Sequence, residues 1–548
     1  MRRLFLTSIL LCIIFSNAIG KKNAPPNRPK LVVGVVIDQM RWDYLYRYSS
    51  SYGSRGFKRL MRDGFNCQNT MINYLPSFTA PGHTCVYTGS VPAIHGIAAN
   101  DWFDNFSGKP DRKVYCTEDN SVELVSEGST LKKPMSPKNL LVSTITDELR
   151  LATNFKSRVF GVALKDRGSI LPAGHLANGA YWLDQSTGNF CSSTYYKKPS
   201  PDWLKTFNGR HVADSLIALD WTLLDPSKKI YTQSLADNNK YEGSLKGETA
   251  PVFPHSIKTL KGSELYETFE RYPAGNTLTL QIAKACRDGE RLGEGDATDF
   301  LCVSLSSTDY AGHQFSPNSL EVEDMYIKLD KELGDFLDYL DEVEGKGNYL
   351  FFLTADHGAA HNPQFLIDSG MNAGFMPNTI KNDLNAALNA KFGISPVSQF
   401  FNYQVYLNDS IISGAHAERE KIKDAVKDWF SKKAEISFIA DMEHPERNSI
   451  PEPIKTMIVN GYSRTRSGCI QVIPAPGWYE GYATTGTTHG TWNPYDTHIP
   501  LLWYGWNAPK GETHRQVNMT DISATLAAML HIQMPNGCVG VPITEITE

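Results

Sequence analysis

Three stretches decide the fold: Leu31–Asp38 (LVVGVVID), Phe300–Asp309 (FLCVSLSSTD) and Tyr349–Asp356 (YLFFLTAD). Each is a short apolar run that ends at, or just before, an aspartate. Runs of this length without polar alternation read as strands buried on both faces, hence as parallel strands covered by helices. In open sheets of that kind the ligand crevice lies beyond the carboxyl ends of the strands. Asp38, Asp309 and Asp356 are therefore expected to point into one crevice.

The surrounding sequence fits this plan. Val322, Met325, Tyr326, Leu329, Leu333, Phe336, Leu337 and Leu340 recur at helical spacing, so Phe300–Thr354 reads as a strand–helix–strand unit. Another apolar run, Phe160–Leu164, ends at Lys165. From Ser169 to Thr298 the chain turns rich in Tyr, Trp, Ser, Pro and Gly, with no sustained helical period before Leu278–Cys286. That stretch, about 169–298, reads as an insertion or lid. A second insertion, about 392–483, carries strand-like runs at Tyr403–Leu407 and Ile470–Ile473 and an amphipathic helix near Ala417–Phe430. Candidate ligands run from Asp38 to His489, so residues 21–548 are expected to form a single catalytic domain. Its fold class is α/β: a central, mostly parallel sheet flanked by helices, with lid or cap insertions.

The composition, 41% hydrophobic and 21% charged, is that of an ordinary globular chain and excludes fibrous or disordered classes. Arg2 and Arg3 precede the apolar Leu4–Phe15, and Ala18-Ile19-Gly20 offers small residues for cleavage. Residues 1–20 thus read as a signal peptide rather than a membrane span, and the mature chain is expected to be periplasmic or secreted. Cys12 follows Leu11 where a lipoprotein would carry a small residue, so it reads as apolar filler. Loss of Arg2 and Arg3 takes the net charge from −5 to −7, and no basic stripe suggests a nucleic-acid surface. Eight cysteines remain after Cys12, an even number that permits up to four disulfides in an exported chain, with pairing not readable. No Cys-x-x-Cys occurs, which argues against a thiolate metal site. A monomer is expected.

Histidines cluster with the aspartates. Asp309 and His313 are one helical turn apart, Asp356 and His357 are adjacent ahead of Gly358, and His489 lies in TTHGT. Asp309, His313 and His489 would grip one metal, and Asp38, Asp356 and His357 a second. Carboxylate and imidazole donors without thiolates suit zinc first, with manganese, iron or cobalt tolerated. Each motif alone is common in capped turns; their joint placement at strand ends makes a site. Thr79, in PSFTAPGHT, precedes Ala80-Pro81 and so falls at or near a helix N-terminus, where free N–H groups attract an anion. A metal beside it would turn its hydroxyl into a nucleophile. Ser77 and Thr84 are the rival hydroxyls. Lys165 and Arg167, two apart at the end of the Phe160–Leu164 run, would lie on one side of an extended segment. His83, His95, His175, His361 and His498 read as supporting or structural imidazoles, with His361 and Asp496 closest in sequence to ligands.

These motifs carry a resemblance. VVIDQMRWDY (Val35–Tyr44), NYLPSFTAPGHTCVYTGSVPAIHGI (Asn73–Ile97), ALKDRGSILPAGH (Ala163–His175), STDYAGHQF (Ser307–Phe315), TADHG (Thr354–Gly358) and THGTWNPYDTHIPLL (Thr488–Leu502) resemble the alkaline phosphatase superfamily, and within it the PafA-type periplasmic alkaline phosphatases. The resemblance implies two zinc ions, one on Asp309, His313 and His489 and the other on Asp38, Asp356, His357 and Thr79. It implies Thr79 as the nucleophile and Asn100, Lys165 and Arg167 as phosphate contacts. Sulfatases of the superfamily need a Cys or Ser converted to formylglycine where this chain has Thr79. The expected activity is hydrolysis of small-molecule phosphate monoesters through a phosphothreonine; the alternative is a nucleotide phosphodiesterase or pyrophosphatase on the same metal core.

Overall fold

The apolar run Leu31–Ile37 forms strand β1, every residue of it buried. Val159–Ala163 forms β2, Gly179–Asp184 β3, Asp299–Leu305 β4 and Tyr349–Thr354 β5. In this computed structural model, which describes residues 27–105, 112–196, 200–481 and 484–547, the five strands pair in parallel in the order β5-β1-β4-β2-β3. Antiparallel neighbours extend both sides, Leu501–Gly505 against β5 and Asn189–Ser193 against β3, and further short strands complete a ten-stranded sheet. The α/β class with a mostly parallel central sheet is therefore observed.

Register aligns the strand ends. Ile37 is level with Leu305, and Val36 with Ser304 and Thr354, so the residues that follow β1, β4 and β5 leave the sheet together. Helices start there. Thr79–Thr88 forms α1, Asp166–Ala173 α2, Ser307–Phe315 α3 and Leu320–Glu344 α4. The α4 helix buries Val322, Met325, Leu329, Leu333, Phe336, Leu337 and Leu340 against the sheet core, as its period predicts. One local expectation fails. Strand β2 stops at Ala163 and Asp166 opens α2, so Arg167 sits in a first helical turn and not on an extended segment. An acid at that position favours helix initiation through the helix dipole.

The sheet takes in part of the stretch expected as the first insertion, since β3 and Asn189–Ser193 belong to it. Between Val212–Ile217 and Ser263–Phe269, both helical, no further helix or named strand forms. The N-terminal end of α4 holds that segment. Asp324 accepts from Trp221 Nε1 (2.7 Å), Leu224 N (2.8 Å) and Tyr231 Oη (2.6 Å), and Glu323 accepts from the backbone of Thr232 and Gln233. Buried carboxylates thus find the donors they need. Within the second expected insertion, Val397–Phe401, Gln404–Leu407, Ile470–Pro474 and Ile436–Asp441 make a separate four-stranded sheet with its own apolar core.

All eight cysteines from Cys67 to Cys538 are free thiols, so none of the permitted disulfides forms. No helix among the described residues is long and apolar enough to cross a membrane. The signal-peptide reading of residues 1–20, and Cys12 within it, lie outside the described residues.

Candidate metal centre

Asp38 leaves β1 with its N–H still bonded to Leu305 O (3.1 Å), so the sheet ladder itself aims it. Asp309 and His313 share one face of α3, with His313 Nε2 3.1 Å from Asp309 Oδ1. Asp356 and His357 follow β5, and His489 arrives on a loop whose Thr491 N–H and hydroxyl both donate to Asp496 Oδ2. Donor atoms of Asp38, Asp356 and His357 lie within 4.8 Å of one another, as do those of Asp309, His357 and His489. His489 Nε2 is 3.7 Å from Asp309 Oδ1. His357 sits centrally, its Nε2 3.5 Å from both Asp38 Oδ1 and Asp356 Oδ2 and 3.3 Å from Thr79 Oγ1. All of these residues except His313 are buried.

The other imidazole nitrogens are engaged. His313 Nδ1 pairs with Thr487 O (2.8 Å), His357 Nδ1 with Gly358 O (3.0 Å) and His489 Nδ1 with Ser77 O (2.8 Å). At His357 and His489 a backbone acceptor on Nδ1 fixes the tautomer and leaves Nε2 as the lone-pair donor, the arrangement metal-binding histidines adopt. At His313, where burial is outweighed by Asp309 and the pKa is raised, Nε2 pairs with Asp309 Oδ1. Burial, with His357 and His313 nearby, holds His489 well below the usual imidazole range, so it is neutral and able to ligate. Burial likewise lowers His357.

The acids are short of positive charge. Among the described residues Lys165 is the only Lys or Arg paired with them, its Nζ 2.7 Å from Asp38 Oδ2 and 2.5 Å from Asp309 Oδ2. Among the described residues Asp38 Oδ1 and Asp356 Oδ2 are buried without a hydrogen bond. Burial, then the charges of Asp309 and Asp356, push the Asp38 carboxyl well up. Burial also pushes Asp309 upward, but His313 and Lys165 outweigh it and hold it well below the carboxylate range. Three desolvated acids facing one ammonium are costly unless cations complete the neutralisation, and a bound divalent ion reverses the shift at Asp38. Oxygen and nitrogen donors with two orphaned carboxylate oxygens therefore fit a metal centre.

Thr79 is the first residue of α1, after an extended Phe78. Its hydroxyl differs from the two rivals. Ser77 Oγ donates to Thr491 O (3.0 Å) and Thr84 Oγ1 to Ala80 O (2.7 Å); both are tied to backbone, whereas Thr79 Oγ1 faces His357. Asn100 Oδ1 accepts from Ala80 N (2.8 Å), which places its amide beside the same helix start. Arg167 stands apart from the acids: Nη1 donates to Tyr115 Oη (3.0 Å), and Nε is buried without a partner among the described residues. Lys165, Arg167, Tyr115, Glu270 and Tyr310 line one cavity of about 530 Å³.

His83 supports the centre, with Nδ1 2.9 Å from Thr79 O and 3.2 Å from Asp356 Oδ2, and Nε2 2.8 Å from Ser304 Oγ. His361 instead meets Asn318 and Arg41, outside the ligand groups. Close packing explains a glycine in the nucleophile segment: a Cβ on Gly82 would lie 2.4 Å from Asp356 O. Gly82→Ala is expected to cost about 1–3 kcal/mol through overpacking and to weaken metal binding by displacing Asp356. Thermal unfolding and chelator competition check both.

A model of the type I phosphodiesterase / nucleotide pyrophosphatase family matches residues 32–497. The chain is 49% identical to a protein of Myroides odoratus named calcium-transporting ATPase, with 98% of each chain covered. It is 47% identical to alkaline phosphatase PafA of Elizabethkingia meningoseptica, again with 98% of each covered. A crystal structure of wild-type alkaline phosphatase PafA superposes with a TM-score of 0.91 at 48% identity, covering 96% of this chain and 100% of that one. On these grounds the chain belongs to the type I phosphodiesterase / nucleotide pyrophosphatase family of the alkaline phosphatase superfamily, in the branch of PafA.

Proposed function

We propose that this chain is an exported phosphate monoester hydrolase, an alkaline phosphatase that holds two zinc ions and works through a phosphothreonine. One observation carries the reading: a helix-start hydroxyl with no backbone partner among the described residues faces a buried cluster of three acids and two imidazoles, with the half-exposed His313 at its rim and a buried ammonium among them. Near-half identity to alkaline phosphatase PafA along the whole chain supports it. The name of the Myroides odoratus relative includes ATP, whose terminal phosphoryl is the same kind of dianionic group. Export rests on the signal-like residues 1–20.

In this reading Asp309, His313 and His489 would hold one zinc, and Asp38, Asp356, His357 and Thr79 the other. The bound metals would supply Lewis acidity, lowering the pKa of the Thr79 hydroxyl and of water and stabilising negative charge on the leaving oxygen. The remaining work falls to the chain. Thr79 Oγ attacks phosphorus in line; a P–O bond forms to Thr79 as the P–O bond to the leaving group breaks. Lys165, Arg167 and Asn100 hold the non-bridging oxygens, over which transition-state charge spreads. Water then attacks phosphorus from the vacated side, Thr79 Oγ departs, and phosphate leaves with net retention of configuration.

The test compares kcat/KM for an aryl phosphate and its methyl diester, with zinc-loaded and chelator-stripped protein. The expected result is a strong preference for the monoester, lost on stripping and restored by zinc. A diester preference would overturn the substrate class and leave the metal site standing. Undiminished turnover after stripping would overturn the metal reading.

A further inference from the structure

Gln39 is the residue next to Asp38, and no ligand pattern singles it out. It is buried and held at φ +66°, a left-handed conformation that is unfavourable for a residue with a long side chain. Strain of this kind persists only where the surroundings enforce it. From that posture it serves two acids. Its backbone N–H donates to Asp356 Oδ1 (3.1 Å), and its side-chain Nε2 donates to Asp309 Oδ1 (2.6 Å).

Those acids belong to different ligand groups, Asp356 with Asp38 and His357, Asp309 with His357 and His489. Asp309 Oδ1 is also the oxygen nearest His313 Nε2 and His489 Nε2. The amide of Gln39 thus reaches the oxygen turned toward the imidazoles, while Oδ2 is left to Lys165. A second observation shows that the side chain is built into the site. Gly312 lies between Asp309 and His313 on α3, and a Cβ there would fall 1.8 Å from Gln39 Oε1. Alanine would otherwise be favoured in a helix interior, so the glycine makes room for this amide.

We infer that Gln39 is a positioning residue that ties the two metal positions together, setting the carboxylate of Asp309 with its side chain and that of Asp356 with its backbone. The inference rests on the metal reading of the site. Hydrogen-bond partners of ligating carboxylates commonly control metal affinity by roughly 10–100-fold.

The test is Gln39→Asn. Asparagine tolerates the left-handed backbone and keeps the N–H bonded to Asp356, but its amide is one methylene too short for Asp309. Zinc affinity is measured by chelator competition, and unfolding of the zinc-free proteins serves as the folding control. The expected result is roughly 10–100-fold weaker binding of one zinc of two, with zinc-free unfolding still cooperative and lowered no further than the loss of one buried hydrogen bond requires. Gly312→Ala should weaken zinc by itself but add little to Gln39→Asn, since the clash needs the longer amide; such coupling is what contacting residues show. Equal affinity in Gln39→Asn and the parent, or simple additivity of the two substitutions, overturns the inference. A parent protein that binds no zinc at all would sink this inference together with the reading beneath it.

Discussion

Thr79→Ala is expected to lower kcat/KM for a phosphate monoester by about 10⁴-fold or more, the scale on which covalent catalysis collapses when the nucleophile is removed. The geometry selects this hydroxyl from three in the segment. Ser77 and Thr84 spend their protons on Thr491 O and Ala80 O, and an alkoxide at either would face a carbonyl dipole of the wrong sign. Thr79 Oγ1 faces His357 Nε2 at 3.3 Å from the first turn of α1, where the helix dipole favours negative charge. Ser77→Ala and Thr84→Ala should therefore stay within about tenfold of the parent, as losses of single structural hydrogen bonds do. Thr79→Ser should retain most of the rate, because the oxygen is kept. Acid quench during turnover should trap one phosphate on the peptide containing Thr79. An undiminished rate in Thr79→Ala, or phosphate on another residue, would sink the assignment.

The sequence made the frame of this site legible and left its centre obscure, for a physical reason. Strands buried on both faces announce themselves as apolar runs, so the acids at the ends of β1 and β5 were readable, and so was the turn of helix joining Asp309 to His313. What fills the space between them depends on contacts across long separations. Lys165 reaches Asp38 and Asp309 across 127 and 144 positions, and no local pattern encodes that. Gln39 was missed although two signs were present, an amide directly after a strand-end acid and a glycine inside Asp-x-x-Gly-His. The Tyr, Trp and Ser content of the strands Gly179–Asp184 and Asn189–Ser193 resembles that of a loop, yet aromatic residues are equally at home in strands. Short helices such as Asp202–Asn208 and Val212–Ile217 span too few turns to show a period. At Arg167 a strand end and a helix start only three residues apart, Ala163 and Asp166, decide which side the side chain faces, and apolar runs do not mark boundaries that finely.

Lys165→Ala and Arg167→Ala are expected to separate monoesters from diesters. A monoester brings a dianionic phosphoryl group and a diester a monoanionic one, so cations lining the cavity favour the first. Each substitution should lower monoester kcat/KM by about 10²–10³-fold, the scale seen when one preorganised donor to a developing charge is removed. The pair should fall short of the product, since both line one cavity and neighbours are not additive. Diester turnover should fall far less. The two residues differ in a second respect that separates substrate binding from scaffolding. Lys165 is wedged between Asp38 and Asp309, and those acids outweigh burial and raise its pKa. Its removal leaves buried charges unpaired, so Lys165→Ala should lose about 3–5 kcal/mol of stability in chelator, and zinc should restore much of it by mass action. Among the described residues Arg167 has only Tyr115 as a hydrogen-bond partner and an unused buried Nε, a donor left for an incoming oxygen, so Arg167→Ala should unfold like the parent with or without zinc. Equal losses on monoester and diester would show that neither cation reads the extra charge. A stable Lys165→Ala in chelator would show that its bridge between the two acids contributes nothing to folding.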